Sequence, residues 1–258
     1  MDSTRPGCKL VLLLCLSALA ASQPFPPAQN SGLTQTAPLP ANEVAKKLQQ
    51  RNAQRAAALE QFSSTRVYRM RYQGFPKDLA AEMVVDVAFH APASKQFTVV
   101  SQSGSRFIID HIFKKLLESE QEAANEENRQ RSALTTANYD FTLAGYESGA
   151  DGAQYVLTLL PKSRNKFLYR GKIWVDAKDF AVVRIEAEPA KNPSLWIKQT
   201  KVEHKYVKVD NFWLPAENHT ESVIRLGGRA ILSIEYKDYR ITKAAALHEH
   251  ENTREASQ

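Results

Sequence analysis

The sequence predicts an α+β fold built on an antiparallel β-sheet of about ten strands, with helices against one face. About ten runs alternate between apolar and polar side chains with a period of two, and turn-forming clusters separate them. Only two stretches show helical spacing, and both lie between groups of strands rather than after every strand. Because parallel neighbours need a long crossover for each strand pair, this order favours antiparallel pairing.

The alternation is clearest in the meander at residues 153–187. In its middle run, Tyr169 and Ile173 fall on one face and Arg170 and Lys172 on the other, as expected of a strand with one solvated side. After a short turn, the same period predicts a further inward face, formed by Ala181, Val183, Ile185 and Ala187. A sheet with one apolar face of this kind needs a cover.

Two helices are candidates for that cover. The first spans residues 42–62 and has a thin apolar stripe that includes Val44 and Leu48. The second spans residues 105–124 and is the best amphipathic helix of the chain. Its stripe has the spacing i, i+3, i+4, i+7 and i+8, at Ile109, Ile112, Phe113, Leu116 and Leu117. We expect the second helix to lie on the apolar face as a lid.

The remaining predicted strands lie on both sides of the second helix. Three precede it, near residues 64–74, 82–90 and 96–101. A run from Tyr139 leads into the central meander. The last third adds three more, at residues 197–209, 212–226 and 229–241.

The first twenty residues have the order of a secretory signal peptide: a weakly basic start, an apolar run and small residues before an Ala-x-Ala pattern. The apolar run is shorter than the roughly 20 residues of a membrane-spanning helix. We therefore expect cleavage after Ala20 and a soluble, exported protein. Both cysteines, Cys8 and Cys15, leave with this segment, so no disulfide is expected. Cys15 lies within the apolar run and not at the cleavage point, which argues against lipidation.

Composition divides the rest of the chain. Residues 21–41 are rich in proline and small polar residues and are predicted to be a flexible linker. Residues 42–242 suffice for one domain, and residues 243–258 are predicted to be a disordered tail. Without residues 1–20 the chain has 32 basic and 27 acidic residues, a net charge of +5. These charges are interspersed, so no nucleic-acid partner is expected.

Three motifs give the chain a family resemblance. The run YRGKIWVD at residues 169–176 is followed by VVRIE at 182–186 and later by DNFWLP at 210–215. With these motifs the chain resembles bacterial outer-membrane lipoprotein-sorting proteins of the LolA, LolB and RseB superfamily, best over residues 139–241 and more loosely over 42–125. The resemblance implies a strongly curved antiparallel sheet. This incomplete barrel would have a hollow that helices close on the concave side and that accepts acyl chains.

A hollow of this kind would bind lipid by removing apolar area from water, at about 25 cal/mol per Å². The candidate lipid-binding residues lie on the predicted inward faces and on the lid helix. They are Met70, Tyr72, Met83, Val85, Ile109, Phe113, Leu116, Tyr155, Leu157, Tyr169, Ile173, Ile185 and Tyr206. The alternative is that these side chains pack together as a closed core. Tyrosines and methionines are compatible with a partly wet, adaptable pocket.

Signatures of catalysis and of metal binding are weak. No Gly-x-Ser-x-Gly motif and no phosphate-binding glycine loop occurs. Glu217, His219 and Glu221 alternate on one strand face, at Cα steps of about 6.6–7 Å, so they could share a metal ion or form a solvated face. We predict no catalytic residue, no metal and no cofactor. A hydrolase that uses a carboxylate pair is a distant alternative.

The three tryptophans lie in separate places. Trp174 shares a face with Arg170 and Lys172, so it is either an exposed contact or is buried under the N-terminal helix. Trp196 and Trp213 lie at strand ends or loops, where they could line the mouth of a hollow or fill a corner.

The sequence therefore predicts a non-enzymatic, monomeric periplasmic protein that binds or carries an acyl chain or lipoprotein lipid in outer-membrane lipoprotein sorting. The alternative is an envelope sensor or protein-interaction module of the RseB type, in which the same sheet docks another envelope protein. An open apolar space between sheet and helix would favour lipid binding, and a filled one would favour docking.

Overall fold

The structure of the protein is a computed structural model that describes residues 38–92, 94–123, 126–149, 152–165, 167–192, 195–225 and 227–246. The predicted signal peptide, most of the predicted linker and most of the predicted tail lie outside these residues. Among the described helices, none is long and apolar enough to cross a membrane.

Ten strands form one antiparallel sheet. They are β1 (Leu59–Gln73), β2 (Leu79–His90), β3 (Ser94–Gly104), β4 (Tyr139–Gly149), β5 (Gly152–Pro161), β6 (Tyr169–Asp176), β7 (Val182–Pro189), β8 (Ile197–Val209), β9 (Phe212–Ile224) and β10 (Arg229–Ala244). Their order across the sheet is β3-β2-β1-β10-β9-β8-β7-β6-β5-β4, so β3 and β4 are its two edges. The prediction of an α+β fold with an open, ten-stranded antiparallel sheet is confirmed.

The helices form two groups. The first is α1 (Ala41–Ala58). The second begins with a continuous segment that we call the lid segment, residues 106–123. It consists of α2 (Arg106–Ile108), a π-helical turn (Ile109–Phe113) and α3 (Lys114–Ala123). The short helix α4 (Glu126–Ser132) follows.

The first helix ends four residues earlier than the sequence predicts. Phe62, which the helical stripe was expected to include, lies in β1 and pairs with Ile241 of β10. Its ring stacks on Phe89 at a centroid distance of 5.0 Å. Pairing with strands distant in sequence therefore decides the conformation here and overrides the local pattern.

The inward face of β7 also differs from the prediction. Val182, not Val183, is buried in the apolar cluster with Ile185 and Ala187. The pairing of β6 with β7 shifts register between Trp174 and Val175, which changes the face on which the start of β7 points. A strict period of two cannot anticipate such a bulge.

A tight turn connects β3 to the lid segment. Gly104 has a φ of +92°, and a Cβ at this position would lie 2.3 Å from the carbonyl oxygen of Ala80. The next residue, Ser105, donates its backbone N–H to the same oxygen at 2.7 Å. The absence of a side chain at Gly104 thus lets the chain pass close to β2 and fixes where the lid segment begins.

Candidate functional site

One row of residues crosses a single face of all ten strands. Directly paired residues share a face of a sheet. From β4 to β3 the row is Leu143, Leu157, Ile173, Ile185, His204, Asn218, Ile234, Tyr68, Met83 and Gln102. Both α1 and the lid segment pack on this face, which we call the inner face. Apart from Gln102 at the β3 edge, the row is apolar on both sides of a polar pair, His204 and Asn218.

The cluster on the β4–β7 side is covered by α1, which packs Val44 and Leu48 against the sheet. Both side chains are fully buried. Six of the candidate lipid-binding residues belong to this α1 cluster: Tyr155, Leu157, Tyr169, Ile173, Ile185 and Tyr206. The α1 cluster is thus packed by the protein's own side chains.

The cluster on the β1–β2 side is covered by the lid segment. Phe113 is fully buried, and its ring lies 6.1 Å from that of Tyr68. Six further candidates belong to this lid cluster: Met70, Met83, Val85, Ile109, Phe113 and Leu116. The expected cover of the sheet by the amphipathic helix is therefore present.

Tyr72, the thirteenth candidate, belongs to neither cluster. Its hydroxyl donates to the carbonyl oxygen of Phe75 at 2.8 Å, beyond the end of β1. The structure therefore brings the candidates together in two groups on either side of the polar pair, and it leaves Tyr72 apart.

A partly buried ion pair joins the lid segment to the sheet. Arg66 of β1 is 4% exposed and lies on the inner face, where it is paired with Val85. Its Nη1 contacts Oε2 of Glu120, from α3, at 2.5 Å. The Tyr68 hydroxyl donates to the other oxygen of Glu120 at 3.1 Å, and Lys95 Nζ lies 3.6 Å from Oε2. The Glu120 carboxylate is thus contacted by three donors, Arg66, Tyr68 and Lys95.

The charges in this network hold one another ionised. Burial by itself raises the pKa of Glu120, but the positive charges of Arg66 and Lys95 and the hydrogen bonds to it lower that pKa below its usual value. Burial likewise opposes the charge of Arg66, and Glu120 more than compensates, so the pKa of Arg66 is raised. The guanidinium also lies 4.9 Å from the ring centroid of Tyr236, a cation–π contact.

The centre of the inner face is polar and uncharged. Burial lowers the pKa of His204 to about 4, so its imidazole is neutral at pH 7. The Asn218 amide nitrogen lies 3.0 Å from the His204 ring nitrogen Nδ1, and the Thr220 hydroxyl donates to the Asn218 carbonyl at 3.0 Å. The rings of Tyr169 and His204 form a T-shaped contact at a centroid distance of 6.2 Å. His204, Asn218 and Thr220 thus form a polar strip between the α1 cluster and the lid cluster.

The three outer-face residues considered for a metal each have another partner. Glu217 forms an ion pair with Lys205 at 3.0 Å, His219 hydrogen-bonds Ser233 at 3.2 Å, and Glu221 pairs with Arg229. Throughout the described part of the chain, no group of three His, Cys, Asp or Glu side chains is arranged to hold a metal ion.

The tryptophans occupy three different environments. Trp174 is 6% exposed, and its cover is not the N-terminal helix but Arg184, whose guanidinium lies 3.6 Å from a ring centroid on the outer face. Trp213 donates its indole N–H to Asp179 at 2.8 Å. Trp196 is 62% exposed.

Arg66 and Glu120 are not among the residues predicted from the sequence, although both carry a periodic signal. Arg66 precedes Tyr68 by two positions and therefore falls in phase with the inward residues of β1. Glu120 follows Phe113 by seven positions and continues the apolar stripe of the lid segment. Opposite charges on two apolar faces that meet are expected to pair.

No protein-family model matches the chain, and no curated protein matches it significantly. Solved structures with a similar chain include a DUF1329 family protein from Desulfovibrio piger, which is 14% identical, with 80% of this chain and 95% of that chain covered and a TM-score of 0.40. A LolA superfamily protein from Nitrosomonas europaea is 14% identical, with coverage of 82% and 96% and a TM-score of 0.34. A putative outer membrane lipoprotein-sorting protein domain from Vibrio parahaemolyticus is 11% identical, with coverage of 80% and 94% and a TM-score of 0.37. The last two carry the family names of the resemblance described above.

Proposed function

We propose that the protein is a non-enzymatic, monomeric periplasmic protein that binds the acyl chain of a lipid or lipoprotein, between the lid segment and the inner face, in outer-membrane lipoprotein sorting. The observation that supports this proposal is how the lid is attached. Within the described residues, the lid segment meets the sheet through an apolar stripe and one buried ionic network centred on Glu120. If that network were released, the lid segment would be held by its apolar contacts, and an acyl chain could replace these.

An acyl chain can replace those contacts at similar free energy. Burial of the three lid side chains Ile109, Phe113 and Leu116 contributes about 1.5–3 kcal/mol each at full burial. About ten methylene groups, at about 0.8 kcal/mol each, contribute a comparable sum. The exchange therefore needs no special polar recognition of the chain.

Two local features favour movement of the lid segment. The π-helical turn at Ile109–Phe113 interrupts the α-helical hydrogen bonds where the segment enters the lid cluster. In addition, Arg66 Nε is buried without a hydrogen-bond partner among the described residues, which costs free energy in the closed arrangement. A ligand carbonyl that reached Arg66 would supply the missing acceptor.

The test is lipid extraction followed by competition. The purified protein is extracted and analysed by mass spectrometry, and a fluorescent fatty acid is then displaced by palmitate. We expect Ile109→Glu to weaken binding at least tenfold, and the exposed change Lys115→Glu on the same segment to leave it unaltered. Thermal unfolding confirms that both variants are folded. Absence of both extracted lipid and a displaceable site would overturn the proposal, as would equal losses in the two variants.

The second candidate is an envelope sensor or protein-interaction module. The observation that favours it is packing: eight of the thirteen candidate residues are buried, as in a closed core. In this case the fold offers a rigid surface, and the lid does not open. A stoichiometric complex with one envelope protein, formed equally by wild type and Ile109→Glu and free of lipid, would select this function.

A further inference from the structure

Three connections of the fold meet in a depression of about 510 Å³. They are the C-terminal end of α4 with its link to β4, the link from β5 to β6 and the link from β7 to β8. Each contributes one basic side chain to the lining: Arg131, Arg164 and Lys191 respectively. The remaining lining residues are three asparagines and a serine, so none of the described residues that line the depression is acidic.

The asparagines hold the shape of the three connections. The Asn138 side chain donates to the carbonyl of Gln130 in α4 at 2.8 Å and to the carbonyl of Ala133 at 2.9 Å. Asn165 accepts a backbone N–H two residues later at 3.1 Å. Asn192 donates to the carbonyls of Ile197 and Lys198, each at 3.2 Å, and thereby holds the end of β7 close to the start of β8. The walls of the depression are therefore preorganised.

Backbone hydrogen bonds also join the connections to one another. The N–H of Lys162 donates to the carbonyl of Asn138 at 2.9 Å, which ties the β5–β6 link to the start of β4. The N–H of Ala190 donates to the carbonyl of Leu168 at 2.7 Å, and this bond connects the β5–β6 link to the end of β7. Hydrogen bonds thus connect the three segments to which the basic residues belong.

The positive charge in the depression is only partly neutralised. Arg131 forms an exposed ion pair with Glu127 at 2.7 Å. Within the described residues, neither Arg164 nor Lys191 has an ion-pair partner. Three like charges around one concave surface create a positive potential that attracts an anion.

We propose that this depression binds a phosphate group. Guanidinium groups match phosphate oxygens with two parallel hydrogen bonds, and Lys191 and the Ser163 hydroxyl add further donors. A phosphate there can belong to a lipid headgroup or to a soluble phosphate ester. The site does not depend on the proposed acyl-chain function of the lid segment.

An adjacent apolar pair makes the two sources distinguishable. Leu195 and Trp196, on the same connection as Lys191, are 91% and 62% exposed. Asn192, which lines the depression, donates to the carbonyls of the two residues that follow this pair, Ile197 and Lys198. Exposed tryptophan and leucine side chains insert readily at a membrane surface. Binding of a soluble phosphate ester does not require them.

The first experiment measures binding of glycerol 3-phosphate by calorimetry at about 0.15 M salt, where long-range charge effects are screened. The double variant Arg164→Gln with Lys191→Gln should weaken binding about tenfold or more, because charge-assisted hydrogen bonds are lost. The control, Arg71→Gln with Lys172→Gln, removes the same charge from the outer face and should keep wild-type affinity. Lack of any binding, or an equal loss in the control, overturns the phosphate site.

The second experiment uses vesicle flotation with phosphatidylglycerol and with phosphatidylcholine. If the phosphate belongs to a lipid headgroup, only phosphatidylglycerol vesicles bind. Leu195→Ser with Trp196→Ser then weakens flotation and leaves glycerol 3-phosphate affinity unchanged. If the source is soluble, glycerol 3-phosphate binds and neither vesicle does. Ile109→Glu should affect neither measurement, so failure of this site and failure of the lid proposal are separate results.

Discussion

Arg66 on β1 and Glu120 on α3 form an ion pair of 2.5 Å that connects the sheet to the lid segment within an otherwise apolar contact. The arginine side chain is 5% exposed and the glutamate side chain 26%. Loss of one partner therefore leaves a charge that water reaches poorly. Removal of one partner should therefore cost more stability than replacement of both partners by apolar residues, and the free energies of unfolding of the variants measure this difference.

Glu120→Gln should lower the free energy of unfolding by about 3 kcal/mol, because Arg66 stays charged and buried without its counter-ion. Chemical denaturation measures this loss, and amide exchange should show the lid segment as the region most affected. The matched control is Glu118→Gln, an exposed change on the same helix, which should stay within about 0.5 kcal/mol.

The apolar double replacement Arg66→Met with Glu120→Leu should recover most of that stability. If the double variant is as unstable as Glu120→Gln, the loss comes from packing and not from the unpaired charge. The pKa of Glu120 is lowered in the folded protein. Its stabilising effect is therefore present above the usual glutamate pKa and is lost as the pH falls through the folded value.

A strand such as β2 was predictable because it has one solvated and one covered face, which gives a burial period of two. The bounds expected for residues 197–209 coincide with β8, although its pairing with β9 shifts register at two points. The start of β1 was not predictable, because residues 59–62 are strand through pairing with β10 at the opposite end of the chain and, at Gln61 and Phe62, with β2. Local pattern contains no information on such a pairing.

The candidate site was predictable only in part, for a related reason. Periodicity placed the apolar residues on the inner face, but it could not say that His204 and Asn218 would divide them into two clusters. That division depends on which residues of β7, β8 and β9 stand opposite one another. Register is set by the whole sheet and by its bulges.

His204 makes stability depend on pH. Its pKa is lowered by burial to about 4, whereas an unfolded histidine has a pKa of about 6.5. The unfolded state therefore takes up a proton first as the pH falls, so the stabilising effect is complete above pH about 6.5 and declines towards pH about 4. The loss reaches up to about 3 kcal/mol.

Unfolding measured from pH 7 to pH 4 tests this expectation. His204→Asn should flatten the profile in this range, whereas His219→Asn on the outer face should keep the wild-type slope. An NMR titration that places the His204 pKa near that of a free histidine would contradict it.

Arg184 should protect Trp174 from solvent. The guanidinium lies 3.6 Å from a ring centroid of Trp174, which is 6% exposed. Arg184→Ala should increase acrylamide quenching of tryptophan fluorescence and lower stability by about 1 kcal/mol through loss of the cation–π contact. Arg170→Ala on the same face is the control. If the two variants are quenched alike, Arg184 is not the cover.

Gly104→Ala should be the most damaging of three matched glycine substitutions. At Gly104 both the φ of +92° and a Cβ contact of 2.3 Å to the Ala80 carbonyl oppose a side chain. At Gly227 the φ is +88° but nothing lies within 4 Å, so only backbone strain of about 1 kcal/mol applies. At Gly145 nothing lies within 4 Å, and alanine should be close to neutral.

Thermal unfolding of the three variants separates the steric clash from the strain, because Gly227→Ala gives the strain alone. The excess loss at Gly104 is the cost of pushing β3 and the lid segment away from β2, so it should be accompanied by faster amide exchange in residues 106–123. Equal losses at Gly104 and Gly227 would mean that the chain relaxes around the added methyl group, and the turn would then not fix the position of the lid segment.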